Sequence, residues 1–182
     1  MSAHTELGAV LLALAAVRIW NYKGPPKLQP IVNPIAALLL FTLFGLDLTI
    51  SKTAWVYAVT GTAVLAATFA VASRFVTPGR TDEHPWRKAL VEIPLAVVLF
   101  EEIAFRGVLL ELIGPYWSSL LFGLWHLRPF KAVLFTAAAG LVLAWGADTT
   151  GSLLVPVAWH WAANGLGVLF FQKRGRPGDP DP

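Results

Sequence analysis

The 182-residue chain contains no cysteine. That removes disulfides, thiolate nucleophiles, iron–sulfur clusters and cysteine-ligated zinc in one step. Charge is scarce too: 14% of residues are Asp, Glu, Lys or Arg against 56% hydrophobic, and the mean hydropathy is +0.62. Soluble domains carry roughly 45–50% apolar residues, so this composition describes a polytopic membrane protein rather than an enzyme with an ordinary apolar core. There is no HExxH pair, no Walker-type or dinucleotide-binding glycine loop, and no internal repeat or compositional shift. A single membrane domain, 1–182, is expected.

What is present is a series of apolar runs near 4–20, 31–50, 53–76, 89–113, 116–128, 131–147 and 151–171. Spans need roughly 17–25 apolar residues, which makes the fifth run short. The breaks between runs are rich in proline, glycine and charge, as in "NYKGPPKLQP" and "TPGRTDEHPWRK". The runs are continuously apolar rather than alternating, so they form helices and not a barrel. The final "QKRGRPGDPDP", 172–182, has the composition of a disordered tail.

The net charge of +3 and pI near 9.5 invite a nucleic-acid reading, but the basic residues fall at run ends instead of on one patch. They read as topology signals, and no nucleic-acid partner is expected. The apolar stretch from Leu7 to Trp20 is preceded by Glu6 and no basic residue and has Arg18 near its end with Lys23 and Lys27 beyond, the reverse of a secretory signal. An outside N-terminus then puts Arg18, Lys23, Lys27, Arg74, Arg80, Arg87, Lys88, Arg128, Lys131, Lys173, Arg174 and Arg176 on the cytoplasmic side. Lys52 falls outside and Arg106 within the membrane, which accounts for all 14 basic residues. The expected fold is an all-α transmembrane bundle of about seven spans, with the N-terminus outside and the C-terminus cytoplasmic, in a bacterial-type cell membrane.

The fourth run holds "FEEIAFRG". Glu101, Glu102 and Arg106 lie about 18–27 Å along a helix from Lys88, at a depth where each ionisable residue costs at least ~2.5–3.5 kcal/mol. Glu102 and Arg106 are four residues apart and share a face. Glu101 is turned away by about 100° and must face something else. Glu92 and Glu111 stand nearer the ends of the helix, where a carboxylate needs no special role. One reading of the three central charges is a buried ion cluster that holds helices together, although such pairs rarely add net stability. The other is a water-filled site within the membrane.

Two histidines also interrupt apolar runs, His126 in "SSLLFGLWHL" and His160 in "VPVAWHWAANG". Asn164 follows His160 by four residues and shares its face. His4 and His84 lie in terminal or loop segments. Glu101, His126, His160 and Asn164 together supply a base, two imidazoles and an amide donor, enough to deprotonate a water and stabilise an oxyanion. Glu101, His126 and His160 are also a possible zinc-ligand set. A Ser/His dyad fits less well: Ser118, Ser119 and Ser152 sit at expected span ends, and both glutamates would go unexplained.

With "EEIAFR", "FGLWH" and "HWAAN" in this order, the chain resembles the CPBP family, the CAAX prenyl protease and bacteriocin-processing, or Abi, intramembrane proteases, over residues 89–171. The family pattern EExxxR, FxxxH, HxxxN falls on Glu101, Glu102 and Arg106, on Phe122 and His126, and on His160 and Asn164. The resemblance implies an endopeptidase with Glu101 and His126 activating water, His160 and Asn164 stabilising the oxyanion, and Glu102 and Arg106 in support. It implies membrane-associated substrates, either CAAX-type proteins or small peptides. Family members are described both as zinc enzymes and as glutamate-dependent hydrolases that need no cofactor. The alternatives are a non-catalytic immunity or scaffold protein binding peptides in the same cavity, and a small transporter using the glutamates as a proton relay. In straight upright helices, His126 would stand two residues from Arg128 at the cytoplasmic face while Glu101 lies ~18 Å deep. A short, sunken fifth helix would bring them together.

Overall fold

The computed structural model describes residues 3–77, 79–126 and 130–174. Among the described residues, seven principal helices follow the apolar runs. Helix α1 is Ala3–Lys23, α2 is Gln29–Leu43 and α3 is Lys52–Ala72. Helix α4 covers 85–113 and α5 covers 115–125; α6 is Phe130–Thr150 and α7 is Leu154–Phe171. Two three-residue strands, β1 (Arg80–Asp82) and β2 (Gln172–Arg174), pair in parallel, with Arg80 opposite Gln172. The tail expected to be disordered from 172 therefore begins with a paired strand, because β1 satisfies its backbone; residues 175–182, with Arg176, lie outside the described residues.

Four helical segments among the described residues are long and apolar enough to cross a membrane: Pro26–Leu43, Lys52–Ala72, Lys131–Thr150 and Leu154–Phe171. The surface and interior agree with that solvent. Leu12, Phe75, Phe135 and Trp117 are exposed, whereas Asn33, Glu101, Glu102, Arg106 and His160 are buried. The main apolar core joins Val10, Leu14 and Val17 of α1 to Leu40 of α2, Phe100 and Phe105 of α4, and Phe122 of α5.

The second run was expected to stay helical to about residue 50, but α2 stops at Leu43. Gly45 has φ +60°, Leu46 N–H donates to Phe41 O (3.1 Å) and Gly45 N–H to Thr42 O (3.4 Å). This is a Schellman cap, which closes a helix whatever the hydropathy of the residues beyond it.

Helix α4 is not uniform. Segments Lys88–Glu92, Pro94–Val98 and Ile103–Leu109 are π-helical, with Leu99–Glu102 α-helical between the last two. Ile93 N–H donates to Lys88 O and Leu99 N–H to Pro94 O, five residues back. In that ladder the donor for Ala89 O would be residue 94, a proline without an N–H. Trp161 of α7 supplies it instead, its Nε1 donating to Ala89 O at 2.7 Å. Asn33 of α2 likewise donates its amide to Ala96 O.

Between α4 and α5 the chain breaks at Gly114 (φ 78°, ψ 172°), followed by Pro115. The extended ψ suits a residue before proline, and the positive φ suits only glycine. Helix α5 then runs back along α4: Ser118 Oγ donates to Phe105 O (2.6 Å), Phe122 meets the Phe105 ring (5.2 Å), and Trp125 reaches Glu101. At 1.5 Å per residue, α5 is about 16 Å long, half of a ~30 Å hydrocarbon core. Its far end lies level with Glu101. Gly123 and Gly140 let α5 and α6 approach closely, a Cβ on Gly123 colliding with Val133 O and one on Gly140 pressing on Phe122.

Candidate active site

Three helices converge on the two glutamates. Glu101 and Glu102 sit on the single α-helical turn of α4 between π segments, about 100° apart around the axis, so each faces a different set of partners.

Glu102 is fully buried. Its Oε1 accepts from Arg106 Nη1 at 3.0 Å and from His160 Nδ1 at 2.6 Å. The ion pair is the four-residue spacing read from the sequence. Arg106 also donates from Nη2 to Gly140 O (3.4 Å), and its guanidinium lies 4.0 Å from the centre of the Phe122 ring. Four elements of the site are thereby tied through one carboxylate and one guanidinium: α4, α5, α6 and α7.

Glu101 is bound differently. Its Oε1 accepts from Trp125 Nε1 at 2.7 Å. Its Oε2 is buried without a hydrogen-bond partner among the described residues. That oxygen lies 3.9 Å from His126 Nε2 and 4.0 Å from His160 Nε2. Both imidazoles are held by their other nitrogen. His126 Nδ1 donates to Phe122 O (2.9 Å), since a carbonyl can only accept, and His160 Nδ1 donates to Glu102. In the neutral rings both Nε2 atoms therefore carry lone pairs. His126 closes α5 in a non-helical conformation (φ −101°, ψ 46°), and its side chain keeps 31% exposure.

His126, His160 and Asn164 line one cavity of about 620 Å³ between α3, α5, α6 and α7. Its other walls are mostly apolar and include Phe69, Phe135, Trp145 and Trp159. Trp159 Nε1 donates to Tyr57 O (3.0 Å), and its ring stacks on Trp145 (6.2 Å), closing one side of the chamber. Glu101 stands behind the two histidines.

The sequence-derived set is thus brought together: Glu101 faces His126 and His160, Asn164 shares their cavity, and Glu102 binds Arg106. Glu102 does more than the sequence suggested, because it also takes the proton side of His160. Of the serines, Ser118 donates to Phe105 O and Ser152 to Thr49 O (2.5 Å), while Ser119 Oγ is buried without a hydrogen-bond partner among the described residues. Glu92 pairs with Arg87 at the surface (3.2 Å). Zinc ligands at ~2.0–2.2 Å in a tetrahedron stand roughly 3.3–3.5 Å apart, closer than the Glu101 and histidine atoms are. Among the described residues no group of His, Asp or Glu is arranged to hold a metal ion.

The residue that sequence reasoning passed over is Trp125. It lies inside the quoted "FGLWH", and its indole needs a hydrogen-bond acceptor once buried. A tryptophan beside an intramembrane histidine, in a chain with an unmatched intramembrane carboxylate, was a readable signal.

Residues 85–166 match the family described as type II CAAX prenyl endopeptidase Rce1-like. No protein of curated function and no solved structure matches the chain.

Proposed function

We propose that this chain, whose residues 85–166 match the type II CAAX prenyl endopeptidase Rce1-like family, is a member of the CPBP family of CAAX prenyl proteases and bacteriocin-processing proteins and an intramembrane endopeptidase acting on membrane-associated protein or peptide substrates. The observation that carries this reading is the gap between Glu101 Oε2 and His126 Nε2, two acceptors 3.9 Å apart, with no hydrogen-bond partner for Glu101 Oε2 among the described residues. Two hydrogen bonds of about 2.8 Å meeting at roughly a right angle have far ends about 4 Å apart. A water molecule donating one O–H to each acceptor fits that separation and keeps a lone pair for attack.

The water oxygen adds to the scissile carbonyl carbon as Glu101 takes its proton. The carbonyl π electrons move to oxygen, and the oxyanion meets Asn164 Nδ2–H and His160 Nε2–H, the latter present when His160 is imidazolium. Glu102 supports that form through Nδ1. The carbonyl reforms, the C–N bond breaks, and the proton held by Glu101 passes to the leaving amine. Water is consumed, and a carboxylic acid and an amine are released.

The apolar cavity beside the histidines suits a substrate whose scissile bond lies next to a membrane-embedded group, which favours the CAAX-type class. The cavity rim carries the exposed Val64, Phe135 and Val142, so the substrate arrives from the lipid side. The protein belongs to a bacterial-type cell membrane, with its N-terminus outside and its C-terminus in the cytoplasm. Glu6, Asp47, Glu111 and Asp148 gather around two adjoining cavities at one end of the bundle, while Lys23, Arg74 and Arg87 lie at helix ends away from it. That asymmetry supports this orientation.

The test is cleavage by the purified protein in nanodiscs, using prenylated CAAX-type peptides beside unmodified ones. Glu101→Gln and His126→Ala each lower turnover on the order of 10²–10⁴-fold, and extensive chelation leaves it intact. Equal turnover in all three proteins would overturn the catalytic assignment. Peptide binding without cleavage would instead support the scaffold or immunity reading, and loss on chelation with recovery on zinc would transfer water activation to a metal.

A further inference from the structure

Among the described residues, Glu101 takes its hydrogen bond from Trp125. The indole Nε1–H donates to Oε1 at 2.7 Å, and the ring is wedged between Phe100 (6.2 Å) and Phe105 (6.1 Å). Arg18 of α1 covers it, with the guanidinium carbon 5.1 Å from the ring centre. Nothing in the three motif blocks lies on α1, yet α1 reaches the site through this stack.

We propose that Trp125 is a positioning residue: it holds Glu101 Oε1, so that Oε2 alone faces His126 and His160, and Arg18 keeps the indole in place. The proposal rests on the reading of Glu101 as the reactive carboxylate. The terminal torsion of a glutamate is broad and roughly two-fold, so a carboxylate with no fixed oxygen can turn its plane away from the histidines. One hydrogen bond to Oε1 removes that freedom. An indole N–H donates only and cannot accept the water proton, so the bond leaves Oε2 as the single basic oxygen in the gap. Trp125 also ends the helix that carries His126, the next residue, so one side chain sets the separation between the two water-activating groups. A misplacement of about 1 Å in such a pair can cost on the order of 10²-fold in rate.

The first arm of the experiment does not depend on activity. The protein is labelled with ¹⁵N at its eight tryptophans, placed in nanodiscs, and the Trp125 indole signal is assigned from Trp125→Phe. Replacing the acceptor by Glu101→Leu is expected to move that Nε1–H signal upfield while the remaining indole signals stay in place, and Arg18→Gln to move it by less. A Trp125 signal unmoved in Glu101→Leu would overturn the contact. The second arm is kinetic: Trp125→Phe lowers kcat by about 10²-fold with KM unchanged, whereas a purely structural role would leave the kcat of the folded fraction at the wild-type value. That last result would overturn positioning even if the indole signal moves. A wild-type chain that cleaves none of the peptides would sink the endopeptidase reading, while the indole signal would still decide whether Trp125 holds Glu101.

Discussion

At the scale of the residue, two adjacent glutamates of identical chemistry are separated by their partners. Glu102 Oε1 is shared by a guanidinium and an imidazole, both buried with it. Glu101 takes one neutral donor, and its Oε2, without a hydrogen-bond partner among the described residues as Glu102 Oε2 also is, stands 3.9 and 4.0 Å from the two histidine Nε2 atoms. A buried ion pair is seldom a net gain over apolar packing, but removing one partner strands the other and costs about 3–5 kcal/mol. Arg106→Met is therefore expected to destabilise the protein by about 3–5 kcal/mol, read from denaturant unfolding in detergent. Glu101→Gln removes a carboxylate that makes no Lys or Arg ion pair among the described residues and keeps an acceptor for Trp125, so its unfolding midpoint should stay near that of the wild type. Equal destabilisation by the two variants would contradict this division of roles.

At the scale of the element, the site depends on departures from regular helix. Proline at 94 frees the Ala89 carbonyl, and Trp161 takes it up, which fastens α7 to the start of α4. The decisive departure is Gly114, where φ 78° and ψ 172° turn the chain so that α5 folds back along α4. Side chains other than glycine pay about 1–3 kcal/mol in that region of backbone space. Among the described residues, its chain neighbours aside, no atom lies within 4 Å of a Cβ built there. Gly114→Ala should accordingly lower stability by about 1–3 kcal/mol through backbone strain alone, with no steric contribution, as measured by thermal unfolding. It should lower turnover as well, because the angle of α5 places His126 and Trp125. A neutral effect on unfolding would show that α5 does not need this turn.

At the scale of the whole molecule, the bundle reverses the arrangement of a soluble protein: large apolar side chains face outward, and charged residues meet in the interior. Where about seven spans were expected, four segments among the described residues are long and apolar enough to cross a membrane. Helix α4 is interrupted by charge and by π segments, and α5 reaches only about half the membrane thickness. The absence of cysteine becomes an advantage here, since any introduced thiol is the sole one. Single cysteines at Asp47 and Gly151 should react with a membrane-impermeant maleimide added outside intact cells, and one at Arg74 only after the cells are opened. The opposite pattern would invert the proposed topology.

How much of this was legible in the chain differs from feature to feature. Helix positions followed from runs of apolar residues, and the pairs Glu102–Arg106 and His160–Asn164 from a spacing of four, because hydropathy and helical period are local properties. The end of α2 at Leu43 was missed, since a Schellman cap at Gly45 stops a helix inside an apolar run. Arg128, on which the apparent mismatch in depth between His126 and Glu101 turned, lies outside the described residues. The mismatch itself is removed by α5 folding back from Gly114. By itself, then, the sequence determined a helical membrane protein, its polar inventory and the pairs within each helix. Only the tertiary structure decided that Glu102 binds His160, that Trp125 holds one oxygen of Glu101, and that the other faces both histidines. Each of those contacts joins helices whose relative depth and rotation no local period encodes.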